Sequence, residues 1–181
     1  MKRIAILLLG LGLGGCFESA GSLYGEQKPV FPFHDGTVIT RDKDGKLGHF
    51  SLARRGDLYR FVITDKGEDF GEGYDMRFFP LAGLAPDMLV FEAAEVCKPA
   101  DKACKPATAA SPRFYGLARL TKTGAEQFNP VCAKDSVFAK LPGVTAKDYD
   151  TCDFTSRGAL EKALLAMSRQ PRKPDTVYRY Q

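Results

Sequence analysis

The sequence predicts a mainly β protein, an antiparallel meander that forms a barrel, a half-barrel or a sandwich, with one helix near the C-terminus. Short segments of the chain alternate apolar and polar residues with the period of a strand. Turn residues separate these segments, which favours antiparallel neighbours over crossover connections. One segment, at about 157–169, instead carries its apolar residues at helical spacing.

The predicted strands share period-two alternation and are bounded by Gly, Asp or Pro. In chain order they are Gly36–Thr40, Gly48–Arg54, Leu58–Thr64, Met76–Phe79, Met88–Ala93 and Phe114–Leu120. Between the first two, Asp42 begins a turn in which Gly45 can take a positive φ. The acidic stretch from Asp65 to Asp75 is interpreted as a solvated, Gly-rich loop.

The predicted helix has a start signal, an apolar stripe and a stop signal. Thr155 or Ser156 supplies the N-cap, and Pro171 ends the helix. The stripe at i, i+3, i+4 and i+7 consists of Leu160, Ala163, Leu164 and Met167. It should pack on the sheet or cover one of its open edges. A second, shorter helix is predicted at Ser136–Leu141.

The N-terminus has the three parts of an export signal. Lys2 and Arg3 give a positive start, and an uncharged run over Ile4–Leu13 follows, too short to cross a hydrocarbon core of about 30 Å. The segment Leu13-Gly14-Gly15-Cys16 then resembles the lipobox of bacterial lipoproteins. This resemblance implies a signal peptide over 1–15 and lipid, including palmitate, on Cys16, which would become the mature N-terminus.

The resemblance also implies a location and a membrane partner. Residues 16–29 are polar and small, which predicts a flexible tether from the lipid to a single domain over 30–181. The residue after the cysteine is Phe17 rather than Asp, which by the sorting rule of Gram-negative lipoproteins favours the outer membrane, facing the periplasm. Without Lys2 and Arg3, basic residues number 24 against 22 acidic. This weak excess does not predict nucleic-acid binding.

The lipobox explains an odd number of cysteines. The chain has five, and acylation of Cys16 leaves Cys97, Cys104, Cys132 and Cys152 for two disulfides in an oxidising compartment. Neighbour pairing, Cys97–Cys104 and Cys132–Cys152, is one of three connectivities. A metal site or a redox pair would favour CxxC spacing, which the chain lacks.

The sequence contains no motif that assigns a catalytic residue, a metal or a cofactor. Its two histidines, His34 and His49, lie near no G-x-S-x-G elbow and form no H-E-x-x-H motif. We therefore expect a non-enzymatic envelope lipoprotein that binds a protein, a glycan or an apolar ligand, or that supports envelope assembly. Two alternatives stay open: a lipocalin-like carrier of a hydrophobic molecule, and an envelope glycan hydrolase that uses Asp or Glu.

The C-terminus carries a small basic and aromatic tail. It includes Arg169, Arg172, Lys173, Tyr178, Arg179 and Tyr180. Such a tail can contact anionic lipid or lipopolysaccharide. The interpretation preferred here is a solvated end whose tyrosines dock on the domain.

Overall fold

The structure, a computed structural model, describes residues 16–65, 68–96, 108, 111–132, 136–147 and 151–181, with only the backbone at residues 16, 65 and 68–72. Eleven strands and one helix lie within these residues. They are β1 Cys16–Ser19, β2 Gly36–Asp42, β3 Leu47–Arg55, β4 Leu58–Asp65, β5 Glu68–Phe79, β6 Met88–Val96, β7 Arg113–Thr121, β8 Gly124–Phe128, β9 Val144–Ala146, β10 Thr151–Phe154, α1 Arg157–Ser168 and β11 Thr176–Tyr180.

Eight of these strands close into an antiparallel barrel, which confirms the predicted fold class and selects the barrel among its three forms. Strands β2 to β8 follow one another as a meander, and β6 also pairs with β7. The ring is closed by β11, which lies between β8 and β2 and is antiparallel to both. All six predicted strands are present in the barrel, as β2 to β7. Five lie within three residues of their expected ends, whereas β5 begins at Glu68 rather than at Met76.

Alternate residues of the barrel strands fill its interior. The inward set contains Val38, Phe50, Leu52, Tyr59, Phe61, Met76, Phe78, Leu89, Phe91, Ala93 and Ala118. At Gly116 an added Cβ would lie 2.6 Å from the Phe91 ring and 2.7 Å from the Phe128 carbonyl oxygen, so the packing requires glycine there. Phe31 and Phe33, from the segment before β2, pack against the same core. The remaining cavity is about 30 Å³.

A second hydrophobic core lies outside the barrel, against the outer faces of β6, β7 and β8. Helix α1 contributes the predicted stripe, and Leu160, Ala163 and Leu164 are fully buried in this core. The Ser156 side chain caps the helix by accepting a hydrogen bond from the Ala159 N–H at 3.3 Å. The helix ends at Ser168, one residue before the expected end.

The segment predicted as a flexible tether is folded into this outer core. Strand β1 pairs with β7 on one side and with β10 on the other, in register from Cys16 itself. Phe17 is fully buried, and Tyr24 stacks on Phe79 with ring centroids 4.4 Å apart. The polar composition of 16–29 therefore misled the prediction, because two buried aromatic rings and a strand pairing outweigh it.

Three further local predictions differ from the structure. Ser136–Leu141 consists of bends and turns rather than a helix. The acidic stretch is not a loop, since residues 68–79 form β5. The C-terminal tail is not a solvated end, because Thr176–Tyr180 is the strand that closes the barrel. The docking of its tyrosines on the domain is confirmed, since Tyr178 and Tyr180 pack against the interior core.

The structure pairs Cys132 with Cys152, whose Cα atoms are 5.5 Å apart. Both residues are fully buried beside Phe17 in the outer core. This is one of the two bonds in the neighbour pairing. Cys97 and Cys104 lie outside the described residues, as do residues 1–15.

Removing the Cys132–Cys152 bond should destabilise the domain. The bond closes a loop between residues separated by 20 positions, for which the chain-entropy model gives about 3 kcal/mol. We expect a double Cys132→Ser/Cys152→Ser variant to lose free energy of unfolding of this order in urea, under oxidising conditions. A Cys97→Ser/Cys104→Ser variant, which retains Cys132 and Cys152, should still have both of these residues protected from alkylation in the unreduced protein. Finding both Cys132 and Cys152 alkylatable in the unreduced protein would contradict the pairing.

Candidate functional site

Charged residues are concentrated on the outer wall of the barrel, across β4 to β7. The register of the strands places them opposite one another in rows. In one row Arg77 is opposite Glu92, and Glu92 is opposite Tyr115. In the next row Arg60 is opposite Asp75, and Asp75 is opposite Ala94. Because directly opposed residues on one face of a sheet interact, these rows form contiguous polar networks.

Glu92 is the buried centre of the first row, with only 3% of its surface exposed. Its Oε1 accepts hydrogen bonds from Arg77 Nε at 3.0 Å and from Arg77 Nη2 at 2.5 Å. Its Oε2 accepts from the Ser22 hydroxyl at 2.7 Å. A buried carboxylate is tolerated when it is paired and hydrogen-bonded in this way.

The segment between β1 and β2 covers this carboxylate. Its Ser22 hydroxyl also accepts a hydrogen bond from Arg77 Nη2 at 2.6 Å, and its Gly25 carbonyl accepts one from Arg77 Nη1 at 3.1 Å. The guanidinium of Arg77 is therefore held from both the sheet and the segment. These bonds fix the N-terminal part of the domain onto the barrel wall.

Tyr115 joins the same network from β7. Its hydroxyl accepts a hydrogen bond from the Leu23 N–H at 2.9 Å and lies 2.9 Å from Ser19 Oγ. The Glu92 Oε2 and the Gly21 carbonyl oxygen are each 3.2 Å away. Burial raises the pKa of Tyr115, and the Glu92 carboxylate raises it further, so the hydroxyl stays protonated as a donor.

A polar cleft of about 460 Å³ opens beside these rows. Its lining includes Ser22, Asp57, Asp75, Arg77, Glu92, Ala94 and Arg113. The small side chain of Ala94, between long neighbours, leaves the space that forms its floor. At the edge Asp57 is 70% exposed, with Oδ2 3.9 Å from Arg77 Nη1.

Arg113 is the cation of the cleft with unused hydrogen-bonding capacity. Its Nη2 donates to the Thr108 carbonyl at 2.9 Å, and its Nε lies 4.0 Å from Glu92 Oε1. Its Nη1 is buried and has no hydrogen-bond partner among the described residues. A buried donor without an acceptor is unfavourable, so an anionic oxygen that reached it would gain a charge-assisted hydrogen bond.

Two carboxylates of the cleft, Asp75 and Glu92, are engaged by partners on the protein. Asp75 receives two bonds from Arg60, each 2.7 Å long. Both oxygens of Glu92 are likewise occupied by partners on the protein. A glycosidase needs one carboxyl free to donate a proton and a second free to attack or to activate water. The described residues contain no group of His, Cys, Asp and Glu placed to hold a metal ion.

The two histidines do not belong to this site. The His34 ring stacks on Tyr180 with centroids 3.9 Å apart, and His49 is exposed on β3. The predicted turn at Asp42 is a closed hairpin turn, in which Asp42 Oδ1 accepts from the N–H groups of Asp44 and Lys46.

Sequence reasoning assigned none of the charged residues of the cleft to a site, and it interpreted Asp75 as part of a solvated loop. The alternation of apolar and polar residues along the strands could have identified two of them. Arg77 in Met76–Phe79 and Glu92 in Met88–Ala93 are polar residues at outward positions. Cys16 lies on β1 and Cys152 on the neighbouring strand β10, and the segment 20–26 follows β1 in the chain. The cleft and the predicted lipid attachment site are thus joined by one short, packed segment.

Comparison with protein-family models, with curated proteins and with solved structures finds no match for this chain. Among the described residues, no helix has the length and apolar character needed to cross a membrane. The fold and the cleft therefore have to be interpreted from their own chemistry.

Tyr115 and Tyr24 offer a matched test of the network. We expect Tyr115→Phe to lower the free energy of unfolding by about 1–3 kcal/mol, because Ser19 Oγ and the Leu23 N–H would lose their hydrogen-bond partner. Tyr24→Phe should leave stability unchanged or slightly higher, because the Tyr24 hydroxyl is buried with no partner among the described residues. Equal losses in urea denaturation for the two variants would contradict this account.

The same two tyrosines give the sign of a pH dependence. Burial raises the pKa of both hydroxyls above the ordinary value of 10.0. Their contribution to stability is therefore complete below pH 10.0 and is lost as the pH rises above it. Each Phe variant should flatten this alkaline decline relative to the wild-type protein.

Proposed function

We propose that this chain is an envelope lipoprotein, acylated on Cys16, that binds an anionic ligand in the cleft on its barrel wall and catalyses no reaction. The lipobox-like segment and the export signal before it support the anchoring. Cys16, the residue that the motif marks for lipid, lies in strand β1. Outer-membrane attachment facing the periplasm follows from Phe17 at the next position.

The cleft supports a binding role more strongly than the barrel interior does. Ligand pockets in proteins have volumes of about 300–1,000 Å³, and the cleft, at about 460 Å³, falls in this range. The single observation that carries the proposal is the incomplete hydrogen bonding of Arg113. This residue lines the cleft, and its buried Nη1 has no acceptor among the described residues. Its complement is a carboxylate or a phosphate group.

A lipocalin-like carrier is the second candidate, favoured by the closed barrel and its apolar interior. The small volume of the interior cavity argues against this candidate. The interior cavity is about 30 Å³, because aromatic side chains such as Phe61, Phe78 and Tyr178 occupy the space. A bulky apolar ligand would require these side chains to move.

Acylation is tested directly at Cys16. Cells that express the full chain are fed radioactive palmitate, and the wild-type protein should take up label. Cys16→Ser should abolish the labelling and release the protein from membranes. Labelling that persists in the Cys16→Ser variant would contradict the anchoring proposal.

Binding in the cleft is tested with acetate and inorganic phosphate as separate probes, which distinguish a carboxylate from a phosphate preference. At a probe concentration of about 100 times Kd, binding should stabilise the wild-type protein by about 2.7 kcal/mol, measured by thermal unfolding. Arg113→Gln should remove this stabilisation, because the guanidinium is lost.

Two further variants complete this experiment. Arg41→Gln is the matched control: Arg41 is an exposed arginine on β2, away from the cleft, and should respond as the wild type does. Ala94→Leu fills the floor of the cleft without changing any charge and should also abolish the response. Equal stabilisation of wild type and Arg113→Gln, or none in either, would rule out the cleft as an anion site.

A further inference from the structure

The formal charges around the cleft sum to zero. Its lining contains three carboxylates and two guanidinium groups, those of Asp57, Asp75, Glu92, Arg77 and Arg113. Arg60 adds a third cation, because it donates two hydrogen bonds to Asp75. A bare anion bound in the cleft would therefore leave one negative charge without a counter-charge, whereas a ligand that also carries a cation would not.

Two groups of opposite sign in the lining are incompletely paired. The Arg113 Nη1 has no hydrogen-bond partner among the described residues. The Asp57 side chain is 70% exposed, and its Oδ2 lies 3.9 Å from Arg77 Nη1, beyond hydrogen-bond distance. The other two carboxylates, Asp75 and Glu92, both accept direct hydrogen bonds from arginines. The cleft thus presents one cation and one anion to a ligand.

A continuous chain of contacts connects these two groups. Arg113 Nε is 4.0 Å from Glu92 Oε1, which accepts a hydrogen bond from Arg77 Nη2. The other terminal nitrogen of Arg77 is the one beside Asp57.

The distance between the two groups suits a small ligand. Asp57 directly precedes β4 and Arg113 begins β7, so their backbones are three strand spacings apart, about 14 Å. Asp57 reaches towards Arg77 on β5, and Arg113 reaches towards Glu92 on β6. The two charged groups are consequently nearer to each other than their backbones are.

We propose that the ligand of the cleft is a small zwitterion, a molecule that carries an ammonium group as well as a carboxylate or a phosphate. Its anionic group binds Arg113 Nη1, and its ammonium group binds Asp57. The inference rests on the proposed binding of an anionic group in the cleft. An ammonium group has three N–H donors, which the exposed Asp57 carboxylate can accept, and the bound ligand leaves the cleft neutral.

The ammonium group is tested with ligands that share one anionic group. Acetate is compared with glycine, β-alanine, γ-aminobutyrate and ε-aminohexanoate by thermal unfolding of the full-length protein at neutral pH. We expect at least one amino acid to bind with a Kd about five times lower than that of acetate, the effect of one partly exposed ion pair. Inorganic phosphate and O-phosphoethanolamine form the corresponding pair for a cleft that prefers phosphate.

An Asp57→Asn variant removes the charge of Asp57 and keeps its shape. It should abolish the gain from the ammonium group, whereas acetate and phosphate should bind slightly more tightly, because a like charge leaves the cleft. Asp44→Asn is the matched control and should respond as the wild type does. Asp44 is also exposed, but it lies in the turn before β3, whereas Asp57 lies in the turn after it, at the opposite end of the strand.

The outcomes separate this inference from the proposed function. If acetate and phosphate bind the wild-type protein as tightly as every ammonium-bearing counterpart, the zwitterion is overturned and the anion site stands. A gain that persists in Asp57→Asn would overturn the assignment of the ammonium group to Asp57, and the inference with it. If none of the probes stabilises the wild-type protein, the binding cleft and the inference both fail.

Discussion

The barrel depends on backbone pairing of its last strand, β11, with β2 and β8. Without this strand the meander would be an open sheet in which β2 and β8 are unpaired edges. The aromatic side chains of the interior would then be exposed to solvent. Closure satisfies the edge hydrogen bonds and removes a template for aggregation. The C-terminus is thereby joined to both of its neighbours in the barrel. The Tyr180 N–H donates to the Thr123 carbonyl at 3.1 Å, and the Gln181 N–H donates to the Thr37 carbonyl at 3.2 Å.

Strand β7 gives the protein its second layer. Phe114 and Ala118 pack with the barrel interior, whereas Tyr115 and Leu117 belong to the outer core. Beyond the end of β8, the free edge of β7 pairs with β1. The helix, β1 and β10 can therefore bury apolar surface against a wall that is already rigid. This arrangement explains why Tyr115 and Leu117, outward positions in the middle of β7, are buried, whereas the flanking outward positions Arg113 and Arg119 are charged.

The buried ion pair of Glu92 and Arg77, on β6 and β5, links the barrel to the N-terminal segment as well as lining the cleft. Removing a carboxylate from water is costly, and Glu92 is compensated by Arg77, Ser22 and Tyr115 together. Ser22 comes from the segment that follows β1. The charge network, the cleft and the N-terminal strand are consequently one connected unit, and any ligand in the cleft would contact a wall that is linked to the proposed anchor.

The sequence by itself determined the helix α1 and the strands β2 to β7, except for the first part of β5, because each has a local period that its own apolar residues define. The acidic first part of β5 lacks that period and was interpreted as a loop. It also predicted the Cys132–Cys152 pairing as one of its alternatives. The tertiary structure decided the rest. Strands β1 and β10 are only four residues long, too short for a period to be recognised, and they exist because partners on other strands pair with them. The cleft likewise depends on register, since Arg77 and Glu92 are 15 residues apart in the chain and meet only because β5 and β6 align them.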